Sequence, residues 1–191
     1  MTRERPAGAR KRLTALDWAD AALAAMAEGG GLAAVAVEPL AARLGTTKGS
    51  FYWHFTGRDA LVAAALERWE EVHTERIIQA VEREPDPETR LRSLFRTVMG
   101  EAVDDPLEVS LLADAGHPGV AGVLRRVTDR RIGYVARLFE ELGFPPAAAA
   151  RRGLMAYTTY LGHTQLVHAV PDALPADPAY LDSVLDALLR P

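Results

Sequence analysis

The stretch from residue 40 to residue 55 constrains the fold of this chain more than any other, because it reads as two short helices joined by a tight turn. Gly45 should end the first helix, since glycine takes a positive φ without steric cost. Thr47 follows where a hydroxyl can accept from a free backbone N–H of the next helix. Phe51 and Phe55 lie four residues apart, which predicts that they share one face and anchor the second helix to a core.

The other face of the second helix combines a cation, a hydroxyl, two aromatic rings and an imidazole: Lys48, Ser50, Tyr52, Trp53 and His54. A helix that enters a DNA groove and grips phosphate has a use for all of these groups. Trp53 has two interpretations: it contacts a DNA sugar or a thymine methyl group, or it packs on the surface of its own domain. The pattern predicts a DNA-binding surface.

Helical periodicity continues through the rest of the chain, and no stretch alternates as a strand does. In the first helix Leu13, Leu16, Leu23 and Met26 recur at helical spacing. Glycine and proline residues separate the predicted helices, which cover residues 13–28, 37–44, 47–55, 58–83, 88–103, 107–114, 120–142, 146–169 and 179–189. We therefore expect an all-α protein.

The distribution of charge says more than its total. The net charge of −4 argues against a general nucleic-acid binder. Residues 1–60 contain eight Lys/Arg and six Asp/Glu, whereas residues 61–191 contain fourteen and twenty. A basic tip on an acidic body suits a protein that meets DNA at one end, although chance can give the same asymmetry. The basic, polar residues 1–12 predict a flexible arm that either lies along DNA or only solubilises the chain.

Composition excludes several classes of protein. The absence of cysteine rules out a disulfide scaffold and thiolate metal sites, and it fits a cytoplasmic location. No apolar run is long enough to span a bilayer, and no secretion signal is apparent. The five histidines never pair at i, i+4, so we expect neither a metal nor a cofactor. No nucleophile–base pair, phosphate loop or carboxylate dyad is apparent, which argues against an enzyme.

Residues 13–61 resemble the DNA-binding domain of the TetR family of one-component regulators, through Leu40-Ala-Ala-Arg-Leu-Gly45, Thr47-Lys-Gly-Ser-Phe-Tyr-Trp-His-Phe55 and Arg58-Asp-Ala-Leu61. The resemblance implies three segments: the arm (1–12), a helix-turn-helix DNA-binding domain (13–57), and a helical ligand-binding and dimerisation domain (58–191) entered through a long helix. One departure is Ala36, which stands where the family often has a capping Thr or Ser. Because alanine has no hydroxyl, that cap should be weaker by about 1 kcal/mol.

The resemblance also implies roles for individual residues. Thr47 would cap the recognition helix and hold a phosphate, and Lys48 and Ser50 would meet base edges and phosphates. Gly49 would allow close backbone approach. Tyr52 and His54 would bond the phosphates that flank the groove. Arg58 stands where the family usually has a lysine that grips phosphate beside the N-terminus of the long helix.

In this family the second domain is hollow, so we expect a cavity lined by apolar side chains of the central helices: Trp69, Phe95, Met99, Tyr134 and Phe139. Arg131 lies on an otherwise apolar face and must pair with an acid, line a polar pocket or extend to solvent. His117 either senses a ligand, as a histidine does in some family members, or caps a helix. The predicted ligand is mostly apolar, with a polar or anionic group held by Arg131 or a tyrosine hydroxyl.

The resemblance implies a homodimeric transcriptional regulator, most often a repressor, that binds a palindromic DNA operator and is released by a small-molecule effector. The last two long helices, with the stripe Leu181, Val184, Leu185 and Leu188, would form the dimer interface, although the Ala-rich segment could equally be plain core. An alternative is a partner-binding or architectural module whose helix-turn-helix no longer reads DNA.

Overall fold

A computed structural model describes residues 12–175, 177 and 179–190, and none of these residues lies in a strand. The predicted arm, apart from Arg12, lies outside the described residues. The helices are α1 (Ala15–Ala25), α2 (Val37–Arg43), α3 (Lys48–Phe51), α4 (Arg58–Glu70), α5 (Arg76–Val81), α6 (Pro87–Asp104), α7 (Leu107–Ala113), α8 (Pro118–Glu141), α9 (Pro146–Ala169) and α10 (Ala179–Leu189). The all-α prediction is confirmed.

Helix α1 begins with a reciprocal cap between Thr14 and Asp17, which satisfies backbone N–H groups that have no partner within the helix. The apolar pattern that predicted this helix is only partly buried, because Leu16 is 57 % exposed. Trp18 fills the centre of the core instead and meets Phe51 edge to face, with 5.4 Å between ring centroids. Leu23 and Met26 of the predicted pattern are buried, so the repeat identified the helix and part of its buried face.

The turn between α2 and α3 follows the sequence prediction in part. Gly45 has a φ of 63°, as expected for the residue that ends α2. Helix α2 starts at Ala36 without a side-chain cap, also as expected. Thr47 occupies the capping position of α3, but its hydroxyl makes no capping bond, so that prediction was wrong. Helix α3 itself has only four residues and continues as a turn through His54.

The first hydrophobic core joins α1 to α4 with parts of the chain far away in sequence. Phe51 and Phe55 are buried in it, as predicted. Leu107 and Leu111 of α7 belong to the same cluster, as do residues 120–127 at the start of α8. The core that supports the helix-turn-helix is therefore completed by residues beyond 57, and the proposed domain boundary stays a prediction.

The long helix predicted for residues 58–83 is present but contains a wider turn. Residues Glu71–Glu75 form a π-helical turn between α4 and α5. Such turns displace the backbone carbonyls from regular α-helical positions and are frequent at functional sites. This turn lies where α8 packs against the long helix.

The second core contains side chains of α5, α6, α8, α9 and α10. Leu185 and Leu188 of α10 are buried in it, with 3 % and 5 % of their surfaces exposed. The assignment of these two leucines to a free dimer stripe was therefore wrong, because they pack within their own chain. Among the described residues, no helix is long and apolar enough to cross a membrane.

Candidate nucleic-acid interface and interior cavity

The end of α3 presents its aromatic side chains to solvent. Tyr52 is 57 % exposed and Trp53 is 85 % exposed, whereas Phe51 between α3 and the core is fully buried. A tryptophan so exposed does not pack on its own domain, and its contact with DNA stays a prediction. A groove beside this turn is lined by Arg12, Leu13, residues 44–47, Ser50, Trp53 and His54. The structure thus brings Thr47, Ser50, Trp53 and His54 together on one surface.

Lys48 is engaged at this surface. Its Nζ lies 2.5 Å from Oε1 of Glu38 on α2. The hydrogen bond between them raises the pKa of Lys48 and lowers the pKa of Glu38, while both groups remain exposed to solvent. Because exposed ion pairs contribute little, Lys48 can exchange this carboxylate for a phosphate or a base edge.

Arg58 has a structural role that the sequence did not reveal. Its guanidinium donates to the carbonyls of Val35, at 2.8 Å, and Leu32, and so ties the start of α4 to the loop before α2. Its third nitrogen lies 3.8 Å from Asp59. To make the predicted phosphate contact, Arg58 would have to use the same guanidinium that already holds this loop.

A cavity of about 80 Å³ lies between the π-helical turn and helices α6, α7, α8 and α9. Of the side chains predicted to line it, Trp69, Phe95, Arg131 and Tyr134 do so. Met99 and Phe139 do not, because they pack in the second core with 1 % and 0 % exposure. His117 does not reach it either, since it is exposed at the N-cap position of α8, where its side chain makes no capping bond.

Arg131 pairs with an acid, which is one of the three outcomes expected for it. Its Nη1 lies 3.0 Å from both carboxylate oxygens of Glu108, its Nε donates to the Thr74 hydroxyl at 2.9 Å, and its Nη2 donates to the His73 carbonyl at 3.0 Å. Only 13 % of the Arg131 side chain and 5 % of the Glu108 side chain are exposed. Two acceptors thus come from the π-helical turn, and one side chain ties it to α7 and α8.

The sequence pattern does not identify Glu108 as the partner of Arg131. A weak signal exists, because Glu108 is the single acid of the short apolar helix α7. Other cavity residues that the pattern does not identify include Ile77, Ile78, Leu94, Val98, Ala102, Val135 and Ala156. Their pattern is that of ordinary core positions, so only the fold shows that they surround a void.

Two tyrosines of α9 also line the cavity. The Tyr157 hydroxyl lies 3.2 Å from that of Thr128, and the Tyr160 hydroxyl lies 3.5 Å from Glu108. Burial raises the pKa of both tyrosines, and the Glu108 carboxylate adds to this effect. Both hydroxyls therefore stay protonated near neutral pH and can donate.

Carboxylates line the side of the cavity at the end of α6. Glu101 is exposed, and Asp105 lies one turn further along, with an oxygen 3.7 Å from the His73 ring. No positively charged residue occupies the last turn of α6. In the part of the chain that the structure describes, no group of three His, Asp or Glu residues could hold a metal ion.

Helix α7 connects the cavity to the helix-turn-helix. Glu108 lies in its first turn, while Asp114 follows its last residue and accepts from the backbone N–H of Leu32 at 2.7 Å. Gly31 has a φ of 50°, and a side chain there would collide with the Asp114 carboxylate. Leu32 also provides the carbonyl that Arg58 binds, so the contact reaches the start of α4.

Comparisons with known proteins agree with this architecture. A transcriptional regulator from Rhodococcus sp. Rha1 superimposes with a TM-score of 0.73 and 22 % identity, over 92 % of this chain and 94 % of that one. SmeT, the repressor of the Stenotrophomonas maltophilia multidrug efflux pump SmeDEF, has a TM-score of 0.68 and 22 % identity, over 92 % of this chain and 90 % of that one. FadR of Bacillus subtilis, solved with stearoyl-CoA, has a TM-score of 0.61 and 17 % identity, over 92 % of this chain and 97 % of that one.

These likenesses concern the fold, and no curated protein matches the chain. The family comparison is more specific, because residues 19–65 match the model of the bacterial regulatory proteins of the tetR family. The matched segment contains the α2–α3 turn and its exposed aromatic face. Over this N-terminal segment, the chain is similar to the tetR family of bacterial regulatory proteins.

Proposed function

We propose that this protein is a ligand-responsive transcriptional regulator, a repressor that binds a palindromic DNA operator as a homodimer and leaves it when a small molecule fills the cavity. The observation that carries this proposal is that α7 connects an interior cavity to the helix-turn-helix. Glu108 at one end of α7 lies in the cavity wall, and Asp114 at the other end holds Leu32.

The exposed end of α3 is the proposed DNA contact. Trp53 would lie against sugar or a thymine methyl group, and Tyr52 and His54 would bind phosphates. Lys48 and Ser50 would meet base edges, with the backbone at Gly49 approaching closely. Phosphate contacts position the protein, whereas base contacts select the sequence. A two-fold dimer would then require half-sites about one helical turn or more apart.

The proposed dimer interface lies on α9 rather than on the leucines of α10. Three apolar side chains of α9 are exposed by 38 % to 55 %: Leu154, Met155 and Leu166. With Thr158 and Gly162 they follow one side of this 24-residue helix. An exposed apolar stripe of this length is typical of a surface that is covered in the assembled protein.

Effector binding would act through the two elements that touch both the cavity and the DNA-binding end. The long helix begins at Arg58 beside the helix-turn-helix and contributes Trp69 and the π-helical turn to the cavity. Helix α7 contributes Glu108 and Asp114. A shift of either element changes the spacing of two recognition helices, and a coupling of about 1–3 kcal/mol changes operator affinity about 5- to 150-fold.

The effectors of the structural neighbours do not transfer directly. Stearoyl-CoA, present in the FadR complex, combines a long acyl chain with an anionic head. The present cavity is about 80 Å³ in volume, its arginine is already paired, and carboxylates line one side. We therefore assign no effector by analogy.

In vitro selection of double-stranded DNA with the purified protein tests the proposal. We expect enrichment of a palindrome, and we expect Trp53→Ala to weaken binding to it by at least about tenfold, because the exposed ring is lost without loss of core packing. Leu16→Ala, which removes another exposed apolar group from α1, is the matched control. Enrichment of no sequence would favour the alternative, a helix-turn-helix module that binds a protein partner.

A further inference from the structure

The charge balance of the cavity indicates the class of molecule that it binds, an inference that rests on the ligand-responsive function proposed above. Among the described lining residues, Arg131 is the one arginine or lysine. Each of its three guanidinium nitrogens already donates to Glu108, Thr74 or the His73 carbonyl. An incoming anion would have to displace Glu108 and leave a buried carboxylate unpaired, which is unfavourable. The sequence-based expectation of an anionic group held by Arg131 is therefore not supported.

The remaining charged groups of the lining are acidic. Glu101 makes no side-chain hydrogen bond or ion pair within the described part of the chain. Asp105 is 3.7 Å from His73 and accepts from the Leu107 backbone N–H at 2.9 Å. Both carboxylates stand at the C-terminal end of α6, where the helix dipole adds negative potential. Two like charges one turn apart repel each other, and a bound cation would relieve that repulsion.

The cavity walls already hold one organic cation, the guanidinium of Arg131 itself. It lies 5.3 Å from the centroid of the Trp69 ring and 5.8 Å from that of Tyr160. Aromatic rings stabilise cations through their negative faces, most strongly when the cation is weakly hydrated. Phe95 and Tyr157 add further aromatic surface to the same lining.

We propose that the cavity binds a small organic monocation with an apolar or aromatic body, of the quaternary ammonium type, with its charge near Glu101 and Asp105. A strongly hydrated inorganic cation would lose water against apolar walls without gaining a full set of oxygen ligands. A weakly hydrated organic cation meets both the carboxylates and the aromatic rings.

Three probes of one shape and different charge test this inference by isothermal titration calorimetry: benzyltrimethylammonium, the neutral neopentylbenzene and the anionic phenylmethanesulfonate. We expect the cation to bind at least about tenfold more tightly than the neutral probe, and the anion to bind most weakly. Raising the salt concentration should reduce the difference in affinity between the charged and neutral probes, because the carboxylates are partly exposed. Equal binding of all three probes, tighter binding of the anion, or no binding of the cation would overturn the inference.

Variants of the two acids locate the effect. Glu101→Gln and Asp105→Asn should each weaken binding of the cation about three- to tenfold and leave binding of the neutral probe unchanged. Asparagine keeps an oxygen that can accept from Leu107, so α7 retains its start. Asp104→Asn removes the same charge from an exposed position of α6 outside the lining and should change neither.

Operator release separates this inference from the proposed function. If benzyltrimethylammonium binds selectively but never weakens binding to the selected operator, the cavity preference stands and the regulatory function fails. If the neutral or anionic probe binds and releases the operator, the regulatory function stands and the preference for cations is wrong.

Discussion

At the scale of single residues, the pairing of Lys48 with Glu38 sets the charge of the proposed DNA surface. The two exposed side chains cancel each other's charge across the turn. Glu38→Gln should release Lys48 and remove one charge that repels phosphate. We expect binding to all DNA sequences to strengthen about two- to fivefold at low salt. Fluorescence anisotropy with operator and unrelated DNA measures this.

The matched control for Glu38→Gln is Glu140→Gln, which removes an exposed acid near the far end of α8. This control should leave DNA binding unchanged. If both variants gain equally, total charge and not the pairing with Lys48 explains the change. If Glu38→Gln binds more weakly, Glu38 itself supports the DNA contact.

The environment of His163 predicts how the stability of the protein depends on pH. It is 9 % exposed, its Nδ1 has no hydrogen-bond partner among the described residues, and its ring stacks on Tyr180 of α10 at 6.1 Å. Burial lowers its pKa in the folded protein. Because the unfolded chain then binds more protons, stability is fully present above the unfolded pKa of about 6.5 and is lost as the pH falls below it.

His163→Phe keeps an aromatic ring against Tyr180 but cannot titrate. Urea unfolding at pH 7.5 and pH 5.5 should show a smaller loss of the free energy of unfolding in this variant than in the unmodified protein. His117→Gln, which changes an exposed histidine, should lose as much as the unmodified protein. An unchanged pH dependence in His163→Phe would mean that other groups account for it.

At the scale of elements, the contact of α7 and α8 with the π-helical turn depends on one buried ion pair. Glu108→Ala would leave Arg131 buried without its carboxylate, at a cost of about 3–5 kcal/mol in the free energy of unfolding. The double variant Arg131→Met/Glu108→Leu removes both charges, and we expect most of that loss to be recovered. Urea unfolding of the three proteins checks this, and a double variant as unstable as Glu108→Ala would show that shape and not charge dominates.

How far each element could be predicted depends on whether its causes are local. Gly45 and Phe51 were assigned correctly, because a positive φ and an i, i+4 apolar pair follow from neighbouring residues. The roles of Arg58 and Glu108 were missed, since their partners lie 23 or more residues away. Cavity residues resemble core residues in sequence, which is why Phe139 was assigned to the lining and proved to be solid core.

The sequence pattern does not predict the π-helical turn either. The pattern of residues 58–83 predicts a helix, but nothing in it predicts a change of hydrogen bonding at residue 71. The turn is held by Arg131 from α8, a contact between residues 57 or 58 positions apart. Tertiary contacts of this range decide such details of the backbone.

At the scale of the whole molecule, assembly can now be tested on a surface free of core residues. Met155 of α9 is 55 % exposed, and a charge there should not disturb the fold. Met155→Glu should give monomers that lose operator binding about 100-fold or more, because the second half-site no longer adds to affinity. Leu16→Glu, at a position 57 % exposed on α1, is the control. Light scattering that still shows a dimer for Met155→Glu would place the interface elsewhere.

Communication across the molecule depends on Asp114 in our proposal. Asp114→Ala removes the acceptor for the Leu32 N–H and should leave both the ligand affinity and the operator affinity nearly unchanged. It should, however, reduce by about fivefold or more the factor by which ligand binding changes operator affinity. Anisotropy of labelled operator with and without benzyltrimethylammonium measures this coupling. Release as complete as in the unmodified protein would exclude α7 as the connection.

The wide turn at Glu71–Glu75 has a consequence for how this sequence can vary among its descendants. Its Thr74 hydroxyl and His73 carbonyl are acceptors for a single donor, Arg131. A π-helical turn contains one residue more than the α-helical turn that it replaces. Without Arg131, the extra residue of the turn no longer places acceptors for a donor. Without the extra residue, both acceptors of Arg131 are displaced. Insertions and deletions in this helix should therefore be inherited together with the residue at position 131, although the two sites are more than fifty positions apart.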